Sequence, residues 1–165
     1  MLLISISVET PLQDDVRHLV ELLNAHLEPL SPIEHQYKMN VEEMGQSDTK
    51  VFVARDMDKN AIGMAALKNH KNHMGEVKRM YTIEKVRGQR VGAKLLSSVI
   101  LQAQQMDMKR LVLETGFGNG YADAHRLYQR AGFIECGPVL DYEDTGSSVF
   151  FEMDLNFLAK DLQLD

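Results

Sequence analysis

Three short apolar runs, followed at once by a glycine-containing turn and a helical run, constrain the fold of this chain most. The runs are VFVARD at 51–56, AIGMAAL at 61–67 and GEVKRMYT at 75–82, separated by the polar stretches MDKN and KNHKNH. Short apolar runs with turn residues between them predict strands that pair with their sequence neighbours. The chain from 51 to 82 is therefore predicted to form an antiparallel three-stranded meander.

Helical spacing of apolar residues occurs on both sides of this meander. The motifs TPLQ at 10–13 and SPIE at 31–34 each place a capping residue before a proline and a reciprocal polar group three residues later. They predict two helices after a first strand within MLLISISVET. From Val91 the spacing predicts another helix that ends near DMKR, and a last helix is predicted to stop at Gly132.

The remaining apolar segments, LVLE, FIECGPV and SVFFEMDL, are predicted to be strands. The complete order is β-α-α-β-β-β-α-β-α-β-β. This order indicates an α/β (α+β) fold, and the length of 165 residues favours a single domain over 1–165.

Charge and cysteine content limit the partners and the compartment. A net charge of -6 argues against nucleic acid or an anionic membrane as the main partner. The N-terminal segment reaches Glu9 without a basic flank, so we expect no secretory leader or membrane span there. A single cysteine, Cys136, fits a reducing compartment, and we expect a cytoplasmic protein.

The segment VRGQRVGAKLL at 86–96 has the features of an anion site. It follows a predicted strand and opens a predicted helix, whose first N–H groups lack intrahelical partners and favour negative charge. Arg87 and Arg90 add positive charge in an acidic protein. The segment matches neither a P-loop nor the three-glycine dinucleotide motif, and a glycine turn into a core helix is the structural alternative.

Two stretches resemble the GCN5-related N-acetyltransferase (GNAT) superfamily, in its small bacterial branch. They are EVKRMYTIEKVRGQRVGAKLL at 76–96 and LYQRAGF at 127–133. The resemblance implies a mixed, mainly antiparallel sheet with splayed central strands and flanking helices. It also implies that a Q/R-x-x-G-x-G/A segment wraps the pyrophosphate of acetyl-CoA, with Arg90 in the place of the middle glycine. The implied coenzyme-binding residues are Arg87, Gly88, Gln89, Arg90, Val91, Gly92 and Ala93.

Further roles follow from the same resemblance. The backbone of Met80, Tyr81 and Thr82, on the fourth strand, is expected to hold pantetheine. Asn119 is the nearest residue to a coenzyme-contacting asparagine of the family. Tyr128 is expected to protonate the departing thiolate, although packing against the sheet would also account for it.

An ammonium acceptor must lose a proton before it attacks, so a carboxylate base is expected. Glu76 on the fourth strand is the first candidate and Glu114 at the end of the fifth is the second, although either could be a solvated charge at a strand edge. His70 and His73 have a spacing that could chelate metal, but they are expected to be solvated in a polar turn, and no metal is predicted.

The sequence thus predicts an N-acetyltransferase that moves an acetyl group from acetyl-CoA to a small-molecule, amino-acid or peptide amine in a ternary complex. The alternative is a non-catalytic acyl-CoA sensor or interaction module on the same fold, which would need neither Tyr128 nor Glu76. Acidic residues would suit a cationic acceptor, whereas His26, His35 and Arg17 would tolerate an anionic one, so the charge of the acceptor stays open. Because GNAT proteins commonly dimerise, a homodimer is an option.

Overall fold

The strands of the described chain form one seven-stranded sheet in a computed structural model that describes residues 2–36 and 38–156. The predicted domain 1–165 therefore extends beyond the described residues, and Tyr37, an apolar position of the predicted second helix, lies outside them. The strands are β1 Ser5–Val8, β2 Thr49–Arg55, β3 Ala61–Asn69, β4 Met74–Thr82, β5 Arg110–Gly116, β6 Ile134–Cys136 and β7 Ser148–Asp154. The α-helices are α1 Asp14–Leu27, α2 Val41–Met44, α3 Val91–Gln105 and α4 Ala122–Ala131.

The sheet has the order β1-β2-β3-β4-β5-β7-β6. Strands β2, β3 and β4 pair antiparallel with their sequence neighbours, which confirms the predicted meander. Only the β4 and β5 pair is parallel in the described sheet. The mixed fold, its helices and its element order agree with the predicted class.

Strands β4 and β5 separate soon after they meet. Their pairing covers Met74 with Arg110, Gly75 with Leu111 and Glu76 with Val112. Beyond this point β5 stays paired with β7 as far as its own last residue, whereas β4 stays paired with β3. The two central strands therefore diverge and open a wedge, as the predicted splaying requires.

The two largest of the three apolar clusters in the described chain lie on opposite faces of the sheet. Helix α3 buries Leu95, Leu96 and Val99 against one face, which we call the α3-side core. Helix α1 buries Val16 and Leu19 in the other core, which we call the α1-side core. The two helices thus cover opposite faces of the sheet on the β4 side of the wedge.

A bulge interrupts β4 where it leaves β5. Arg79 and Met80 lie together opposite Ala65 of β3, and the backbone of Arg79 has a left-handed φ of 52°. Val77 packs in the α3-side core, whereas Tyr81 packs in the α1-side core. Residues four apart in a regular strand share a face, so the bulge turns the end of β4 over.

The predicted start of the first helix is wrong by a few residues. Helix α1 begins at Asp14 and not directly after Thr10. The Thr10 hydroxyl accepts a hydrogen bond from the Leu12 N–H at 3.1 Å, and the Gln13 side-chain amide donates to the Thr10 carbonyl at 2.8 Å. These bonds stabilise a local turn at residues 10–13. Residue types that often cap helices therefore hold the chain in a non-helical turn here, and the helix starts later.

The helix predicted from SPIE is also wrong. That segment forms a 3₁₀ turn at Ile33–His35, and α2 begins only at Val41. Its capping box is made by Asn40, whose side chain accepts from the Glu43 N–H at 2.8 Å. The serine motif therefore starts a single turn, and the asparagine starts the helix.

The later helix boundaries agree with the sequence prediction. Helix α3 begins at Val91, and α4 stops before its C-cap residue Gly132, whose φ of 106° is the left-handed conformation expected of a terminal glycine. Among the described helices none combines the length and the apolar character needed to cross a membrane.

Candidate functional site

A cavity of about 790 Å³ lies at the wedge between β4 and β5. It brings together most of the residues that the sequence singled out, although they lie far apart along the chain. The predicted residues that line it are Glu76, Met80, Tyr81, Thr82, Arg87, Gly88, Arg90, Val91, Gly92, Ala93, Glu114 and Tyr128.

Two predicted coenzyme residues do not line this cavity. Asn119 is exposed in a 3₁₀ turn, so the structure does not bring it to the wedge. Tyr121 lines the cavity instead, and its hydroxyl is 2.9 Å from the Ser31 hydroxyl. The Gln89 side chain donates to the Lys85 carbonyl at 3.3 Å and does not face the cavity either.

The turn before α3 leaves the N-terminus of that helix open. Gly88 has a φ of 78°, and a side chain added there would meet no atom within 4 Å. Arg90 is the N-cap residue, has a φ of 67° and makes no side-chain cap. The left-handed conformation at Arg90 is one that glycine adopts most easily, which explains why the resembling family has a glycine there.

Arg87 ties this turn to the end of β4. Its guanidinium carbon lies 5.6 Å from the centre of the Tyr81 ring, and its Nε donates to the Thr82 carbonyl at 3.4 Å. A cation over an aromatic face is favourable. The positive side chain is therefore held beside the open helix terminus.

Tyr128 is buried on the α3 side of the cavity, with 8% of its surface exposed. Its ring packs at 6.1 Å from Phe133 and at 5.9 Å from Phe151, measured between ring centres. Burial, helped by the nearby Glu114 carboxylate, raises the pKa of the Tyr128 phenol to about 12. The phenol is thus packed as a core residue and stays protonated at neutral pH.

Glu76 is buried, with 3% of its surface exposed, and both of its oxygens have partners. Oε1 lies 2.9 Å from His70 Nε2, while Oε2 accepts from Lys78 Nζ at 3.3 Å and from the Tyr142 hydroxyl. The expectation of a solvated His70 is therefore wrong, because this side chain bonds a buried carboxylate. No metal-binding group of three or more His, Cys, Asp or Glu side chains exists in the described ranges.

Glu114 is held differently at the opposite edge of the wedge. Its Oε1 accepts from the Ser148 hydroxyl at 2.8 Å, and in the described part of the chain Oε2 has no hydrogen-bond partner. Burial raises the pKa of the Glu114 carboxyl, and the negative Glu76 adds to this rise. A carboxylate with a free oxygen and a raised pKa can accept a proton.

Sequence reasoning missed Arg79, which also lines the cavity. Only 8% of its surface is exposed, and burial lowers the pKa of its guanidinium to about 10. One terminal nitrogen donates to the Asn24 Oδ1, whereas Nε has no partner in the described chain. No local pattern could have shown this, because the bulge that buries Arg79 depends on pairing with β3.

Comparison with known proteins accords with this geometry. A family model for the acetyltransferase (GNAT) domain matches residues 47–135. The chain is 32% identical over 153 residues to the IAA acetyltransferase of Azospirillum brasilense, which covers 92% of this chain and 98% of the relative. It is also 32% identical over 137 residues to the uncharacterized N-acetyltransferase YsnE of Bacillus subtilis, which covers 81% of this chain and 90% of the relative.

The fold is similar to a solved structure of the same kind. The chain superposes with a TM-score of 0.78 and 27% identity on a Klebsiella pneumoniae protein assigned to the acyl-CoA N-acyltransferases, over 93% of this chain and 98% of the other. Together with the matched domain, the two relatives and the wedge, this likeness settles the family. The chain belongs to the GNAT acetyltransferases.

Proposed function

We propose that the protein transfers an acetyl group from acetyl-CoA to the amine of a small molecule, amino acid or peptide, directly in a ternary complex. One observation carries this proposal. The open N-terminus of α3, the diverging edge of β4, Glu114 and Tyr128 all line one cavity. An anion site, an open strand edge for the pantetheine arm, a base and an acid are the parts that acyl transfer from a coenzyme to an amine requires.

The residues present fit acetyl-CoA. The uncapped turn of α3, with Gly88 and Gly92, offers backbone N–H groups to a pyrophosphate, and Arg87 and Arg90 add charge. The unpaired edge of β4 at Met80–Thr82 would lie along the pantetheine. When bound, the coenzyme supplies an activated acetyl thioester.

Glu114 is our choice for the base, in preference to Glu76. Both oxygens of Glu76 are engaged by His70, Lys78 and Tyr142, so the carboxylate orders these side chains and leaves neither oxygen open to a substrate ammonium. Glu114 keeps one oxygen free and has a raised pKa. A base with a raised pKa takes a proton from an ammonium more readily.

Tyr128 would hold the proton for the leaving thiolate. Its phenol is protonated at neutral pH, as a tyrosine ordinarily is, and burial raises its pKa further. Its position near Glu114 places acid and base in one cavity. An ammonium has to lose two protons to become an amide. Glu114 would take the first and pass it to solvent, and the second would restore the Tyr128 phenol after it has protonated the thiolate, so each turnover would release one proton.

Release of free thiol from acetyl-CoA, measured against a panel of amines, amino acids, peptides and IAA, tests the proposed function. IAA is included because a relative is named for it. We expect acetyl-CoA-dependent acetylation of at least one amine, confirmed by a mass increase of one acetyl group. Coenzyme binding without transfer to any acceptor would favour the acyl-CoA sensor. The cytoplasmic location and the homodimer stay predictions.

A further inference from the structure

Arg79 is a buried cation without a matching anion. No carboxylate of the described residues forms an ion pair with its guanidinium, in contrast to Lys78, which is 3.3 Å from Glu76. Its Nε is buried without a hydrogen-bond partner, and its described contact is the neutral Asn24. Burying an uncompensated charge is costly, so a site of this kind is suited to a ligand that brings the anion.

The place of Arg79 separates it from the proposed coenzyme site. The guanidinium contacts Asn24 of α1, whereas the turn of Arg87–Gly92 begins α3, and these helices lie on opposite faces of the sheet. The cavity near Arg79 is also lined by Leu23 and His26 of α1. An anion at Arg79 would therefore belong to the second substrate.

The acidic residues near Arg79 do not argue for a cationic substrate group at this position in place of an anionic one. Glu76 is matched by Lys78 and His70, and Glu114 is the proposed base. Arg79 is thus a buried charge on the α1 side of the cavity for which no described side chain supplies the opposite charge.

We propose that the acceptor carries a carboxylate, which Arg79 binds from the bulge of β4, so that the acceptor class is an amino acid. This inference rests on the proposed function, because it takes the acceptor to be an amine. A guanidinium offers paired N–H donors that match the two oxygens of a carboxylate.

Asn24 provides a variant that leaves Arg79 in place. Asn24→Asp puts a carboxylate where the amide oxygen already accepts from Arg79, so the cation gains an internal partner. We expect a higher melting temperature and a weaker affinity for carboxylate ligands. Removal of the cation in Arg79→Gln should weaken the same affinity by about tenfold to a hundredfold, as loss of a charged hydrogen bond does.

The binding experiment does not depend on turnover. Calorimetry with CoA present measures the affinity of the protein for N-acetyl derivatives of the common amino acids and for the neutral carboxamide of each. The proteins compared are wild type, Arg79→Gln and Asn24→Asp. Lys38→Gln is the matched control, because Lys38 is an exposed cation of the same cavity. Melting temperature and CoA affinity report whether each variant is folded.

We expect wild type and Lys38→Gln to prefer at least one N-acetyl amino acid over its carboxamide by about tenfold or more, and both other variants to lose this preference. Equal affinity for acid and carboxamide in wild type, no binding of any acid, or a preference that survives in Arg79→Gln or Asn24→Asp would overturn the inference. If Arg79→Gln does not fold, Asn24→Asp decides alone. Thiol release with the amine panel tests the proposed function separately. The carboxylate preference is a binding result, so it can be present or absent whether or not any amine is acetylated.

Discussion

At the scale of single residues, the Tyr128 ring and the Tyr128 hydroxyl have separable roles. The ring packs between Phe133 and Phe151. Tyr128→Phe keeps that packing, so CoA affinity should stay near wild type while turnover falls by roughly 10²-fold or more, as expected for loss of a general acid. Turnover, CoA affinity and a melting curve on the two proteins check this.

A purely structural hydroxyl would give the reverse pattern. In that case the variant would lose about 1 kcal/mol of unfolding free energy and keep its turnover. Equal turnover in wild type and Tyr128→Phe would remove Tyr128 from the mechanism.

Glu114 carries a prediction about pH. Its folded-state pKa is raised, so the base form appears only as pH rises through that pKa. The kcat/KM of wild type should therefore increase across this range, and Glu114→Gln should lose this ascending limb together with roughly 10²-fold or more of the rate. A pH–rate profile of both proteins measures this.

Stability should change in the opposite direction. A raised pKa means that Glu114 contributes stability at low pH that is lost as pH rises through the folded pKa. Glu114→Gln should therefore match wild type in acid and be more stable than wild type at neutral pH. Glu76→Gln is the contrast, because it takes a charged partner from His70 and Lys78 and should cost about 3 kcal/mol. Equal losses in both variants would contradict this assignment.

At the scale of elements, local chemistry predicted boundaries only where no competing bond existed. Gly132 caps the end of α4 because its left-handed backbone lets its N–H donate to the Gln129 and Tyr128 carbonyls, and Val91 begins α3 directly after the turn. Thr10 failed as a cap because its hydroxyl bonds the Leu12 N–H inside a turn. Sequence patterns list the groups that can cap, but the three-dimensional turn selects among them.

At the N-terminus of α3, substitutions of Gly92 can test the effect of an added negative charge, because an added Cβ is accommodated there. A side chain at Gly92 would lie 3.4 Å from Leu127 Cδ2, which is ordinary contact. Gly92→Ala should therefore fold and bind CoA nearly as wild type does, whereas Gly92→Glu should fold but bind roughly tenfold more weakly or worse, because its charge would face the proposed pyrophosphate site. Calorimetry of the three proteins compares them, and unchanged affinity in Gly92→Glu would sink the assignment of the turn.

Arg90 allows a second test of the same turn. Its left-handed backbone, with φ of 67°, is strained for a residue with a side chain. Arg90→Gly should raise the unfolding free energy by up to about 1 kcal/mol, after the greater freedom of glycine in the unfolded chain is deducted. If the guanidinium reaches a phosphate, CoA affinity should fall at the same time. A lower unfolding free energy of Arg90→Gly than of wild type, measured by denaturant unfolding, would contradict the proposal that the backbone at Arg90 is strained.

At the scale of the whole molecule, the site depends on contacts that sequence patterns cannot show. Tyr142 reaches Glu76 across 66 residues of chain, and Arg79 reaches Asn24 across 55. The family motifs pointed to the α3 turn and to Tyr128, which both line the cavity, because those motifs are local in sequence. The partners of Glu76 and the burial of Arg79 follow from the β4 bulge and the wedge, which exist only once distant strands have paired.

The wedge also predicts how a ligand changes the molecule. In the described sheet, β1–β4 and β5–β7 are joined by three residue pairs between β4 and β5. A ligand that contacts both walls stabilises the folded state by mass action, by about 2.7 kcal/mol at a hundredfold excess over Kd. For a domain of this size, that corresponds to a rise in Tm of roughly 5–11 °C.

CoA should produce this rise in wild type and Gly92→Ala, and a much smaller one in Gly92→Glu at the same concentration. Hydrogen exchange with CoA present should slow at the end of β4 and also at the start of α4, because both border the cavity. Slowing on only one wall would mean that the coenzyme does not bridge the wedge, and an equal Tm rise in Gly92→Glu would place it elsewhere.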